Sequence, residues 1–184
     1  MVYNGIYQDV ERLIAKHKTR DPKEILEDRG VYVKPFKENT RLLGMFKRIL
    51  DDKFVFYNPK INDYNLRMVL AHELGHEFYH GHESFCGNEL FGVINSKEVE
   101  ANIFAAHLLI NDNSIKEYIT LGYNIQQMAS LECVDKNLLI IKLNDLMRMR
   151  IIPRVNLYNR NDFFRDISGC DRINWANEYN EDYI

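Results

Sequence analysis

Apolar residues recur at Ile6, Val10, Leu13 and Ile14, a helical spacing that predicts an amphipathic helix over residues 4–18. The stretch Thr19-Arg20-Asp21-Pro22 reads as the start of a second helix, with Asp21 as N-cap and Pro22 in the first helical position. Gly30 is placed to end it. The pattern then changes to short apolar runs: VYVKPF at 31–36, the stretch around Leu43–Ile49, and FVFYN at 54–58, with a turn at Asp51-Asp52-Lys53. These predict a small antiparallel sheet of three strands. Asn62 and Asp63 are candidate caps for a helix over 64–80, whose apolar positions include Leu66, Val69, Leu70, Leu74 and Phe78. An irregular stretch to about Lys97 separates it from a second strong helix, EVEANIFAAHLLI, at 98–110. Short helices follow to about Met149, broken at Gly122 and near Val134-Asp135, and Pro153 closes that region. The last thirty residues have no period, and the end, WANEYNEDYI, is acidic.

With 184 residues, 46% hydrophobic and 28% charged, the chain has the composition of a globular protein with one sizeable core. No apolar run is long enough to span a bilayer, and the N-terminus lacks the pattern of a signal peptide. The expectation is a cytoplasmic protein with no membrane partner. Three widely spaced cysteines, Cys86, Cys133 and Cys170, form no CxxC pair, which argues against both a disulfide framework and a cysteine-rich zinc site. A net charge of −3 gives no electrostatic case for nucleic acid as the main partner.

Candidate chemistry concentrates in AHELGHEFYHGHESF, residues 71–85, which holds four histidines. His72-Glu73-Leu74-Gly75-His76 is an HExxH motif inside a predicted helix. Positions i and i+4 share a face, so both imidazoles can reach one zinc ion, while Glu73 sits where it can take a proton from water. His80 lies about 12 Å along the helix axis from His72, too far for both to hold one ion with bonds near ~2 Å. His82 stands where the pattern HExxHxxGxxH places a third histidine ligand, but that pattern needs glycine at residue 79, and the chain has Tyr79 there. The other source of a third ligand is the later helix, which offers Glu98 and Glu100. Glu98 shares its face with Ala101, Asn102, Ala105 and Leu109, a stripe of mostly small residues that would let this helix pack closely on the HExxH helix. Glu100 faces with the bulkier Ile103, Phe104 and His107. Glu98 is therefore the preferred candidate, and Asn102 could hydrogen-bond an outer imidazole nitrogen.

Three segments, FVFYN, RMVLAHELGHEFYH and EVEANIFAAHLLI, together resemble the ImmA/IrrE family of zinc metallopeptidases. In that family a similar Glu-x-x-Ala-Asn-x-Phe-Ala-Ala-x-Leu-Leu segment follows the HExxH helix and supplies the third zinc ligand. The resemblance extends over about residues 1–150 and departs at Asn111-Asp112, where the family often has proline. It implies an α+β minimal zincin, gluzincin-like, with a small antiparallel sheet, an HExxH helix, a third-ligand helix and a helical C-terminal extension. It also implies that Glu73 is the general base, that His72, His76 and Glu98 hold Zn2+, and that FVFYN is a candidate edge strand for an extended substrate. Such proteins, often carried by phages and integrative elements, cleave a helix-turn-helix repressor and so release a genetic switch. Tyr57, Tyr79 and Tyr123 are candidates for stabilising the tetrahedral intermediate.

The expected organisation is a metallopeptidase core over 1–112, a helical, helix-turn-helix-like extension over 113–152, and a tail over 153–184. IQQMASLECVDKNLLIIKL, 125–143, has the spacing of a helix-turn-helix, and residues 142–160 carry five Lys or Arg against one Asp. DNA binding through 125–160 is the lesser reading; a helical subdomain packed on the peptidase is preferred. The rival from another class is a non-catalytic, metal-containing regulator that binds a repressor or DNA. Its metal would be structural, and an intact Glu73 argues against it.

Overall fold

A computed structural model describes residues 5–81 and 91–155. His82, the centre of the alternative ligand set, lies outside the described residues, as does the tail from residue 156. Helix α1 (Ile6–His17) buries Ile6, Val10 and Leu13 and ends as Lys18 turns to φ 58. Helix α2 (Pro22–Asp28) begins as the sequence indicates. The Asp21 carboxylate accepts the Lys23 and Glu24 N–H groups, and Gly30 leaves the helix at φ 73, a conformation that costs glycine little.

Strands β1 (Val31–Pro35), β2 (Gly44–Ile49) and β3 (Asp52–Tyr57) form one sheet in the order β1-β3-β2. β2 and β3 are an antiparallel hairpin, but β1 pairs with β3 in parallel. The sheet is therefore mixed rather than antiparallel throughout. β3, the FVFY strand, lies in the centre, so it is not the edge strand that the resemblance suggested. The physical reason is its apolarity: a strand rich in Phe and Val is best protected with both edges paired. The exposed Lys47 and Arg48 lie on β2, whose outer edge carries no partner strand among the described residues.

The two long helices carry the core. Helix α3 (Asp63–His80) starts with the Asn62 side chain accepting the Asn65 N–H. Helix α4 spans Phe91–Leu109 and so starts seven residues before the expected position at 98. The sequence reads as irregular up to about Lys97 because it contains glycine, but isolated glycines are tolerated in a long helix. Glu98 therefore sits two turns into α4, where the helix dipole no longer accounts for its presence. The helices meet closely: a methyl on Gly75 would come 3.0 Å from Ala101 Cα. Arg20 donates to the carbonyls of His107 and Leu108, and Arg67 to that of Leu109, so the C-terminal carbonyls of α4 are satisfied by side chains from elsewhere. The buried Glu77 accepts from Arg29 Nε and Lys53 Nζ, each at 2.7 Å, and ties α3 to the end of α2 and to β3.

Helices α5 (Asp112–Thr120), α6 (Ile125–Glu132) and α7 (Lys136–Arg148) follow. Leu139, Leu143 and Leu146 of α7 join the same hydrophobic core as Phe104 and Leu108 of α4. A buried polar network backs this contact. Lys142 pairs with Asp112 and donates to His107 Nδ1 at 2.8 Å, His107 Nε2 meets Asp145 at 2.7 Å, and Tyr7 donates to Asp112 at 2.9 Å. No helix among the described residues is long and apolar enough to cross a membrane.

Candidate metal centre

The four-residue spacing of His72 and His76 puts both rings on one side of α3, and the close α3–α4 crossing at Gly75 and Ala101 brings Glu98 over them. His72 Nε2 lies 3.2 Å from Glu98 Oε2 and His76 Nε2 lies 3.2 Å from Glu98 Oε1. The two Nε2 atoms stand 3.0 Å apart. Ligand bonds of about 2.0–2.1 Å around a tetrahedral ion put neighbouring ligand atoms roughly 3.3 Å apart, so the trio is already spaced for one ion. Two imidazole nitrogens cannot face each other at this distance as bare lone pairs; a proton or a cation must lie between them.

Electrostatics point the same way. Burial pulls the His72 pKa down, but its hydrogen bond to Glu98 and the charges of Glu73 and Glu98 outweigh this and raise it. Burial pushes the Glu98 carboxyl up, but hydrogen bonds and charge from both imidazoles hold it well below the usual carboxylate range. Glu98 is therefore an anion beside two nitrogen donors, a donor set that suits zinc. The site also opens to solvent: the Glu98 side chain is 37% exposed and that of His72 is 22% exposed. The trio is thus within reach of water or substrate.

The surrounding groups orient the trio. His72 Nδ1 lies 2.9 Å from Asn102 Oδ1, and the Asn102 amide donates to the Glu98 carbonyl. Because Oδ1 can only accept, Nδ1 carries the hydrogen and Nε2 is left as the donor atom towards an ion. Glu73 is buried next to the trio, and its Oε2 accepts the Phe46 backbone N–H at 2.6 Å. Burial pushes its carboxyl above the usual range, against the opposing pull of the two imidazoles and the Phe46 N–H.

Other candidates from the sequence fall elsewhere. Glu100 faces His80, with Nε2 and Oε2 3.5 Å apart, so these two residues form their own pair. The Tyr79 hydroxyl is committed to Asp9 at 3.1 Å, and Tyr123 stacks on Tyr118. Tyr57 pairs with Gly44 across the β2–β3 ladder, which puts it on the helix-facing side of the sheet. Sequence reasoning missed Gly44 and the Phe46 amide. A methyl on Gly44 would overlap Val69 Cγ1 and come within 2.9 Å of Glu73 Oε1. The only signal for either was a glycine at a strand start.

The chain is similar to known proteins over most of its length. The model of the IrrE N-terminal-like domain family, Peptidase_M78, matches residues 26–138. A protein of Bacillus phage phi105 described as "Uncharacterized immunity region protein 2" is 29% identical over 142 residues, covering 76% of this chain and 90% of its own length. Metallopeptidase ImmA of Bacillus subtilis (strain 168) is 26% identical over 136 residues, covering 68% of this chain and 76% of its own. The family match runs from α2 through the HExxH helix and the Glu98 helix into α7, and on that span the chain belongs to the Peptidase_M78 family of IrrE N-terminal-like domains.

Proposed function

We propose that this chain is a zinc-dependent endopeptidase that cleaves a regulatory protein, and that its substrate is a helix-turn-helix transcriptional repressor. The observation that carries the reading is the convergence of His72, His76 and Glu98, within 4.8 Å of one another, beside the buried carboxylate of Glu73. His72, His76 and Glu98 would hold the ion. Zinc held there supplies Lewis acidity and lowers the pKa of a water to about 7. Glu73 takes the proton of the attacking water and returns it to the leaving amide nitrogen, a role that suits a carboxyl raised by burial.

Substrate docking falls to β2. The Asn58 N–H donates to the Leu43 carbonyl, so residues 43 and 58 are a hydrogen-bonded pair. Pairs alternate in an antiparallel ladder, and the amides and carbonyls of Gly44, Phe46 and Arg48 therefore point out along the free edge. An extended segment can add there next to Glu73. The repressor as substrate is supported by the names of the relatives: an immunity region protein of a phage and a metallopeptidase called ImmA.

The test is co-expression with a helix-turn-helix repressor encoded beside this gene. The repressor is cut by the wild type, and Glu73→Gln lowers the cleavage rate by roughly a hundredfold or more while zinc stays bound. Repressor inactivated but uncut, with full activity in Glu73→Gln, would instead support the non-catalytic regulator.

A further inference from the structure

We infer that the free edge of β2 positions Glu73, through the Phe46 amide as its hydrogen-bond donor and Gly44 as the residue that makes room. The inference rests on the reading of Glu73 as general base. Val69 and Glu73 lie four residues apart on α3 and present one face to the strand. Gly44 is the point of contact, since any side chain there would overlap Val69 and crowd the Glu73 carboxylate. Two residues along, on the same side of the strand, the Phe46 N–H reaches Glu73 Oε2 at 2.6 Å. This N–H has no ladder partner: Phe46 stands opposite Val55 in a non-hydrogen-bonded pair, so its amide faces away from β3. A donor that the sheet does not need is thus spent on a buried carboxylate. Glu73 is thereby fixed from the strand side, while His72 and His76 flank it in sequence on the helix.

The arrangement has a consequence for substrate. An extended segment adding to β2 would draw on the outward groups of Gly44, Phe46 and Arg48, and the Phe46 N–H is already taken by Glu73. Docking and the placement of the carboxylate therefore share one donor.

The first test reads the hydrogen bond without any substrate. Amide exchange at Phe46 is measured by NMR in the zinc-loaded full chain and in Glu73→Ala. The expected result is exchange at least roughly tenfold faster at Phe46 in the variant, with Lys47, whose amide is in the ladder, unchanged. Equal exchange at Phe46 in both proteins overturns the inference. The second test compares Phe46→Pro, which removes the N–H but no ladder bond, with Phe46→Ala, which removes only the ring. With the repressor as substrate, Phe46→Pro is expected to lower kcat by roughly tenfold or more relative to Phe46→Ala, with KM and zinc content unchanged. Gly44→Ala combined with Val69→Ala, which relieves the overlap with valine and leaves the crowding of Glu73, should show the same loss of kcat. Equal kcat in Phe46→Pro and Phe46→Ala, with cleavage still dependent on Glu73, sinks the positioning role and spares the peptidase reading. Glu73-dependent protection of Phe46 in a protein that cuts no repressor keeps the hydrogen bond and sinks the peptidase reading.

Discussion

Asn102 decides which nitrogen of His72 is presented to an ion. Its side-chain oxygen accepts from Nδ1, and its amide is tied back to the Glu98 carbonyl, so one residue orients both the His72 ring and the backbone turn that carries the Glu98 carboxylate. Partners of this kind typically contribute tenfold to a hundredfold in metal affinity. Asn102→Ala is therefore expected to weaken zinc binding by about that factor in a competition titration with a chelator, without loss of helix content by circular dichroism. Unchanged affinity would mean that His72 holds its tautomer without help. His72, Glu73, His76, Glu98 and Asn102 were all legible in the sequence, because helical periodicity alone sets their faces. Gly44, Phe46 and Glu77 were not. Their partners lie on other elements, 24 to 48 residues away for Glu77, and nothing local marks a backbone amide as a carboxylate donor.

At the scale of elements, the site depends on α3 and α4 keeping their crossing, and α7 braces α4 from behind. The brace contains charge as well as leucine. Lys142 donates to His107 Nδ1, so His107 is neutral, with its Nε2 hydrogen directed at Asp145. Burial first, and the Lys142 charge after it, hold the His107 pKa below its usual value despite Asp145 and Asp112. Asp145 is held below the usual range because the hydrogen bonds and charges of His107 and Arg148 outweigh the upward push of burial. For a histidine whose folded pKa is depressed, the unfolded chain binds the proton more readily. Its contribution to stability is then complete above about pH 6.5 and is lost as pH falls through the folded value. The carboxylates act with the same sign below about pH 4. In metal-free protein the Tm advantage of wild type over His107→Gln should therefore shrink as pH falls from 7 to 5. A constant difference across that interval would contradict the depressed pKa. Element types and most boundaries could be read from periodicity and caps, as at Asp21, Asn62 and Gly30. The parallel pairing of β1 could not, since strand order is set by which strand gains most from burial on both edges.

For the whole molecule, the helical segment behind the metal site belongs to the body of the protein. Within α7, only Asn137 and Arg148 are exposed, and Lys142, one of the basic residues that suggested a DNA-reading surface, is fully buried against Asp112. Leu139, Ile141, Leu143, Asp145 and Leu146 of the same helix are buried with it, so one face of α7 is committed to the core. Whether one zinc is held by His72, His76 and Glu98, as proposed, is decided by metal analysis of the purified full chain. About one zinc per chain is expected in the wild type and in Glu100→Ala, with loss of that zinc in His72→Ala, His76→Ala and Glu98→Ala. A wild type without zinc, or a Glu98→Ala variant that keeps it as the wild type does, would rule out this ligand set.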